Sequence, residues 1–244
     1  MKSIVRYIKR LLAQPSTIAY DYRGELENFF LHLGTHYEDA EKHLREATGG
    51  DCLYFRSDSG QQLEALIFSA ISLYKRDVRS ILEIGTGRGD NTVILASLFP
   101  HALLHTFDLP KEDRDYNTLA WRKGGEENTF TEKIVHERVT FHEKNSFYML
   151  SETLPIFDLA YVDGGHSYPS LAWDAMYAYN RTNPDGFIVF HDYNRPNNDP
   201  TRDANHVKDL IDNYLRNIVT EEIHYLPWSG YDPEAKTCLL IKRH

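Results

Sequence analysis

The stretch ILEIGTGRGDNT, residues 81 to 92, places three glycines in five positions directly after a short apolar run. The run from Ile81 to Ile84 has the length and composition of a buried strand, and a helix is expected to begin at about Asn91. Glycines between a strand and a helix let a ligand approach the main chain, because a Cβ there would block it. The stretch therefore predicts a ligand-binding turn at the carboxyl end of a parallel strand.

Short apolar runs alternate with helical segments along the rest of the chain. Five runs are predicted to be strands: Ser80 to Ile84, Ala102 to Phe107, Arg138 to His142, Phe157 to Val162 and Gly186 to His191. Parallel neighbours need crossover connections, which the helical segments supply. The pattern predicts an α/β fold with a doubly wound, Rossmann-like and mostly parallel sheet, followed by a C-terminal antiparallel hairpin built from residues 219–226 and 237–242.

The chain is expected to divide into two parts. Residues 1–58 are predicted to form a helical N-terminal extension or cap, and residues 59–244 the ligand-binding domain. One helix is predicted from Glu25 to Ala47, ended by the glycines that follow it. Another is predicted after a capping box at Ser59 and Gln62, with apolar residues at helical intervals from Leu63 up to Lys75 and Arg76. Residues 4–12 have one apolar helical face, which fits either docking on the domain or binding to a surface.

The composition favours a globular enzyme. The chain has 244 residues, 41% of them hydrophobic, and a formal net charge of -9, which opposes binding to nucleic-acid phosphates. No run reaches the roughly 18 apolar residues of a membrane span, and basic residues interrupt the apolar core that a signal peptide would need. Two cysteines are too few for a disulfide framework. We expect a cytoplasmic protein that acts on a small molecule, without a nucleic-acid partner; a homo-oligomer stays open.

The spacing of the glycines distinguishes two ligand classes. A dinucleotide-binding turn, G-x-G-x-x-G, that starts at Gly85 needs glycine at position 90, where the chain has Asp90. A carboxylate is poorly placed beside a pyrophosphate. The pattern found is E-x-G-x-G-x-G, from Glu83 to Gly89, which resembles motif I of class I S-adenosylmethionine-dependent methyltransferases. That resemblance implies a cofactor with a cationic sulfonium and no phosphate, which suits the acidic neighbours Glu83 and Asp90.

The resemblance also indicates which residues would bind S-adenosylmethionine. In and beside the turn, the candidates are Glu83, Gly85, Thr86, Gly87, Gly89 and Asn91. Asp108 ends the second predicted strand, where a carboxylate accepts hydrogen bonds from the ribose hydroxyls. Asn145 and Ser146 follow the third strand, at the position where this family meets the adenine edge. Asp163, after the fourth strand, completes the set.

Two further motifs follow the fourth and fifth predicted strands. AYVDGGHSYPS and GFIVFHDYNRP resemble the DGxHxY and HDY signatures of a small-molecule methyltransferase family related to macrolide-sugar O-methyltransferases and cephalosporin hydroxylase-like proteins. The resemblance covers roughly residues 60–242. Because the carboxyl ends of parallel strands meet at one edge of a sheet, we expect Asp163, His166, His191 and Asp192 to lie beside the glycines as candidate catalytic residues.

These four residues have alternative roles. Asp163, His191 and Asp192 could hold a divalent metal ion, such as Mg²⁺ or Mn²⁺, that lowers the pKa of a substrate hydroxyl. Related metal-dependent enzymes commonly carry a carboxylate where this chain has His191, so a softer ion or no ion also fits. Alternatively, His166 or His191 removes the hydroxyl proton as a general base. In a purely structural role, the aspartates would only cap turns and His166 would line the pocket.

The leading prediction is an S-adenosylmethionine-dependent methyltransferase that O-methylates a hydroxyl of a small molecule. The alternatives are a metal-dependent, hydroxylase-like enzyme on the same scaffold and a non-catalytic S-adenosylmethionine-binding protein. Segment 111–137 is either a substrate lid or a solvated insertion. The loop 194–203 is either a solvated loop or a cover for substrate, in which case Arg195 or Arg202 would pair with an anionic group.

Overall fold

The computed structural model describes residues 21–56, 63–110, 112–113, 137–194, 206–218, 222–229 and 232–242. The predictions for residues 4–12, for most of segment 111–137 and for nearly all of loop 194–203 lie outside these ranges. The five parallel strands predicted from the apolar runs lie inside them, as do all the candidate catalytic and cofactor-binding residues, whereas residues 219–221 of the predicted hairpin lie outside.

A seven-stranded sheet forms the centre of the fold. Its strands are β1 (Ser80–Ile84), β2 (Leu103–Asp108), β3 (Val139–Glu143), β4 (Phe157–Val162), β5 (Thr182–Asn194), β6 (Glu222–Ser229) and β7 (Asp232–Ile241). Their order is β3-β2-β1-β4-β5-β7-β6. The first five strands pair in parallel, and β7 runs antiparallel to both β5 and β6. The predicted doubly wound sheet with a C-terminal antiparallel hairpin is confirmed.

Helices lie on both faces of the sheet. They are α1 (Tyr22–His32), α2 (Tyr37–Thr48), α3 (Leu53–Arg56), α4 (Glu64–Tyr74), α5 (Asp90–Leu98) and α6 (Ser170–Arg181), with a 3-10 helix at Ser146–Ser151. The last helix, α7, begins as His206–Asp209, continues as the π-helical Leu210–Leu215 and ends with Arg216–Ile218. Within the described part of the chain, none of these helices has the length and apolar character needed to cross a membrane.

Alternate side chains of the central strands enter two separate apolar cores. Ile81 and Leu159 belong to the core that contains α1, α2, α4 and α5. Leu82 and Ile188 belong to the core that contains α6 and α7. Burial on both faces explains why the predicted strands are continuous apolar runs rather than alternating patterns.

The prediction of one helix from Glu25 to Ala47 is wrong at its centre. The chain leaves helical geometry after His32, and Gly34 there has a φ of +63°, a left-handed conformation that ends α1. The end of α2 at Gly49 agrees with the prediction. Phe30 in α1 and Leu44 in α2 are fully buried in the same core as the sheet. The boundary at residue 58 stays a prediction, although the apolar core continues across it.

Candidate active site

The glycine turn, residues 85–89, joins β1 to α5. The amides of Gly85 and Thr86 donate to the Phe107 carbonyl of β2, at 2.9 and 3.2 Å. Gly85, Gly87 and Gly89 have φ values of 96°, 56° and 77°, in the left-handed region that favours glycine. Gly89 is the N-cap of α5, so the helix begins directly at the turn.

Two of these glycines are needed for different reasons. A Cβ on Gly85 would lie 2.1 Å from the carbonyl oxygen of Asp163, so the loop after β4 already fills this space. A Cβ on Gly87 would meet no heavy atom within 4 Å. The expectation that a missing side chain leaves room for a ligand therefore fits Gly87. At Gly85, by contrast, glycine is required by packing within the protein.

Asp108 lies beside the turn at the end of β2, as predicted. Its Oδ2 accepts a hydrogen bond from the Gly87 amide at 2.7 Å, and its Oδ1 accepts one from the Leu109 amide at 2.7 Å. The carboxylate stays partly exposed. It therefore fixes the position of Gly87 and still borders the space where the ribose is expected.

Glu83 points away from this space. Its side chain is fully buried, and its Oε2 accepts hydrogen bonds from the hydroxyls of Thr92 and Thr106, at 2.5 and 2.6 Å. Burial raises the pKa of Glu83 to about 8, so its carboxyl group is largely protonated at neutral pH. Asp90, in turn, pairs with Arg88 at 3.4 Å. Neither acid supplies the unpaired negative charge that was expected beside the sulfonium.

Thr86, Asn145 and Ser146 make local contacts. The Thr86 hydroxyl lies 2.6 Å from that of Thr106 in the buried part of the turn. Asn145 caps the 3-10 helix through its Oδ1, which accepts from the Phe147 amide at 3.0 Å. The Ser146 carbonyl accepts from the indole of Trp173 at 2.9 Å. Asn145 and Ser146 thus lie at the carboxyl end of β3, where the adenine is expected.

The acid–histidine cluster consists of Asp163, His166, His191 and Asp192, which the structure brings together as expected. His166 lies between the two carboxylates, with its Nε2 3.5 Å from Asp163 Oδ1 and its Nδ1 3.6 Å from Asp192 Oδ2. On the inner side, His191 Nε2 lies 3.2 Å from Asp192 Oδ1 and 3.8 Å from Asp163 Oδ1. Two aspartates therefore alternate with two histidines at the ends of β4 and β5.

Hydrogen bonds connect this cluster to the glycine turn. Asn91, at the start of α5, donates from Nδ2 to the Tyr161 hydroxyl at 3.2 Å. That hydroxyl donates to Asp163 Oδ2 at 3.0 Å. The Asp163 amide also donates to the Ile84 carbonyl at 2.8 Å. The two predicted halves of the site are therefore adjacent and share residues.

The two histidines have different environments. The His191 side chain is 12% exposed, against 33% for His166. Burial lowers the pKa of His191, but Asp163, Glu64 and Asp192 outweigh burial and raise it to about 10. For Asp163, burial raises the pKa, but the nearby His191 and His166 outweigh burial. The pKa of Asp163 is therefore lower than its ordinary value. At neutral pH His191 is an internal cation, which argues against a role as general base.

The residues present do not fit the predicted three-ligand metal site. His191 Nδ1 lies 2.7 Å from Glu64 Oε1 and its Nε2 lies 3.2 Å from Asp192 Oδ1, so both ring nitrogens already contact carboxylates. In the part of the chain that the structure describes, no group of three or more His, Cys, Asp or Glu side chains is arranged to hold a metal. No step of the reaction is therefore assigned to a metal ion.

Sequence reasoning missed Glu64, at the start of α4. This carboxylate is 1% exposed and accepts hydrogen bonds from His191 Nδ1 at 2.7 Å and from the Thr237 hydroxyl at 2.9 Å. Its signal in the sequence is a single acid at the start of the apolar stretch LEALIFSAI. That signal does not reveal its partners, because they lie on β5 and β7.

The stretch that contains both halves of the site matches a known family. Residues 82–193 match a family model described as a methyltransferase domain, from β1 through β5. Residues 82–193 are thus similar to a methyltransferase domain. The resemblance to S-adenosylmethionine-dependent methyltransferases, drawn from the glycine turn, is thereby confirmed. None of the curated proteins compared with this methyltransferase matches it significantly in sequence.

Several solved methyltransferases share the fold. The O-methyltransferase TomG from Streptomyces achromogenes, involved in tomaymycin synthesis and solved with S-adenosylmethionine, is 17% identical, with a TM-score of 0.54 over 92% of this chain and 99% of TomG. Podospora anserina PaMTH1, bound to S-adenosylhomocysteine, is 15% identical, with a TM-score of 0.53 over 95% and 100% of the two chains. The N-methyltransferase NodS from Bradyrhizobium japonicum, also bound to S-adenosylhomocysteine, is 15% identical, with a TM-score of 0.52 over 84% and 100%. These likenesses support the fold and do not identify the methyl acceptor.

Proposed function

We propose that this methyltransferase moves the methyl group of S-adenosylmethionine to a hydroxyl of a small molecule, with His166 as the general base. The observation that carries the proposal is the setting of His166. It is the more exposed histidine of the acid–histidine cluster, and each of its ring nitrogens lies within 3.6 Å of a carboxylate oxygen. The cluster adjoins the glycine turn through Asn91 and Tyr161.

The cofactor would lie over the glycine turn. The open space at Gly87 admits a ligand to the main chain, and Asp108 would accept hydrogen bonds from the ribose. Asn145 and Ser146 would border the adenine. Bound in this way, the cofactor would bring its sulfonium towards the acid–histidine cluster, whose aspartates would attract its positive charge.

The acceptor oxygen gains a methyl group and loses a proton. The acceptor oxygen attacks the methyl carbon as the carbon–sulfur bond breaks, and His166 takes the hydroxyl proton. S-Adenosylhomocysteine leaves as a neutral thioether. Asp163 and Asp192 stabilise the positive charge that the His166 ring gains, in the same way that a buried carboxylate stabilises an imidazolium in other general-base pairs.

The same arrangement supports a hydroxyl as the methyl acceptor. A hydroxyl needs a base because it is weakly nucleophilic until its proton is removed, whereas a neutral amine attacks without prior deprotonation. A small-molecule acceptor agrees with the formal net charge of -9, which opposes binding to nucleic acid. A cytoplasmic location stays part of the proposal.

A labelled-methyl transfer assay tests the proposal. The purified protein is incubated with S-adenosylmethionine and a panel of sugars, catechols, polyketide-like alcohols and amines. We expect label on a hydroxyl, unchanged turnover after chelation or without oxygen, and about a hundred- to ten-thousandfold lower kcat for His166→Gln with unchanged cofactor affinity. The matched control is His105→Gln, a histidine of β2 outside the cluster.

Three results would contradict the proposal. Label only on amines would refute hydroxyl methylation. Loss of turnover on chelation and its return with a divalent ion would mean that a metal ion on Asp163 and Asp192, rather than His166, activates the hydroxyl. A product that requires oxygen would favour the hydroxylase-like alternative.

A further inference from the structure

We infer that Glu64 is a positioning residue of the reacting end, which holds the His191 ring so that the carboxylates of Asp192 and Asp163 stay on both sides of His166. The inference rests on the proposed function and assigns to α4 a part in the reaction. Glu64 lies outside the residues that match the methyltransferase family model, which begin at 82.

The geometry forms one continuous chain of contacts. Glu64 Oε1 lies 2.7 Å from His191 Nδ1, so this ring nitrogen is directed inward. The opposite nitrogen, Nε2, is then directed to Asp192 at 3.2 Å and Asp163 at 3.8 Å. Asp192 contacts His166 through its other oxygen, Oδ2, at 3.6 Å, and Asp163 contacts it through the same Oδ1 at 3.5 Å. A rotation of the His191 ring would therefore disturb both groups that flank the base.

A second contact fixes Glu64 itself. The Thr237 hydroxyl of β7 donates to the same oxygen, Oε1, at 2.9 Å. Glu64 also lies in the first turn of α4, where the helix dipole favours a negative charge. The carboxylate is therefore held by three elements, α4, β5 and β7, and its orientation is determined before a cofactor or substrate binds.

Stability alone gives a weak reason for this arrangement. Removing two charges from water costs much of what their attraction returns, so well-packed apolar side chains would stabilise the core at least as well. The same charges have a clear use at the site. His191 Nε2 lies within 3.8 Å of an oxygen of both aspartates, so a fixed His191 ring holds the two carboxylates in place beside His166.

The first test is kinetic and uses the full chain with the acceptor found in the methyl-transfer panel. We expect kcat to fall about tenfold in Glu64→Gln and about a hundredfold in Glu64→Ala, because small displacements of a base cost this much. The dissociation constant for S-adenosylmethionine should change by less than about twofold. Glu27→Gln is the matched control, since Glu27 pairs with His36 Nδ1 on the surface of α1 and α2. It should leave kcat unchanged.

The second test asks whether Glu64 acts through His191. If it does, the double variant Glu64→Gln/His191→Gln should have the same kcat as His191→Gln alone. A kcat that falls by the product of the two single effects would overturn the inference, as would wild-type kcat in Glu64→Gln. Thr237→Val removes only the supporting hydroxyl and should lower kcat by less than Glu64→Gln.

A third test needs no acceptor and so separates this inference from the proposed function. In the wild type, the Nδ1 proton of His191 should exchange slowly with solvent in nuclear magnetic resonance spectra, because Glu64 holds it in the core. His191→Gln identifies the signal by its loss. Glu64→Ala should make this proton exchange rapidly while the protein stays folded. An unchanged signal in Glu64→Ala would overturn the inference even if no hydroxyl is ever methylated.

Discussion

The glycine turn and the acid–histidine cluster are adjacent but are held in place by different kinds of contact. In the turn, main-chain amides bond to a neighbouring strand end, and Asp108 accepts from Gly87 and Leu109. In the cluster, side chains from β5 and from the loop after β4 contact one another and Glu64. Substitutions in the turn should therefore act one position at a time, whereas substitutions in the cluster should affect several groups together.

Gly85→Ala should have the largest effect and show where the turn depends on packing. The new Cβ would lie 2.1 Å from the Asp163 carbonyl oxygen, at a residue with a φ of +96°. We expect the free energy of unfolding to fall by about 3 to 5 kcal/mol, measured by urea denaturation. Gly34→Ala is the control, because Gly34 has a φ of +63° and no atom within 4 Å of its Cβ position. It should cost only the backbone strain, about 1 to 2 kcal/mol. Equal losses would refute the packing role of Gly85.

Gly87→Val should separate ligand binding from folding. Its Cβ position meets no atom within 4 Å, so we expect backbone strain to cost the fold about 1 to 2 kcal/mol in Gly87→Ala and more in the β-branched valine variant. The branched side chain would, however, occupy the space assigned to the cofactor. We expect the dissociation constant for S-adenosylmethionine to rise by about a hundredfold or more, with a smaller rise for Gly87→Ala. Wild-type affinity in the valine variant would show that no ligand occupies this space.

Glu83→Gln should change how stability depends on pH. The Glu83 carboxyl has an unfolded pKa near 4.5 and a folded pKa of about 8, so its protonated form stabilises the fold at low pH and this contribution is lost as pH rises. From pH 5.5 to 7, the wild type should lose about 2 kcal/mol more of its free energy of unfolding than the variant does. Denaturation curves at several pH values measure this difference. Parallel pH profiles would show that Glu83 is ionised in the folded protein.

The same contrast explains what the sequence could predict. The strands and the glycine turn are encoded locally, by the apolar runs and by the spacing of Gly85, Gly87 and Gly89. Gly34 is as apparent in the sequence as the glycines of the turn, but a glycine inside a helical pattern does not by itself show that a helix ends.

The properties of the cluster depend on distant contacts. Glu64 and His191 are separated by 127 positions in the sequence, and no local pattern connects them. The pKa values of Glu83 and His191 reverse the charges expected from the ordinary values of these side chains, because burial governs the first and three carboxylates govern the second. The sequence therefore predicted that Asp163, His166, His191 and Asp192 meet, but neither the contact with Glu64 nor the protonation of His191.

The most direct test of the account is a calorimetric titration of the purified protein with S-adenosylmethionine, S-adenosylhomocysteine and NAD. If the open main chain at Gly87 receives a nucleoside without phosphates, the first two ligands should bind, NAD should not, and Gly87→Val should bind none of them while remaining folded. Binding of NAD in preference to S-adenosylmethionine, or full S-adenosylmethionine affinity in Gly87→Val, would contradict the account.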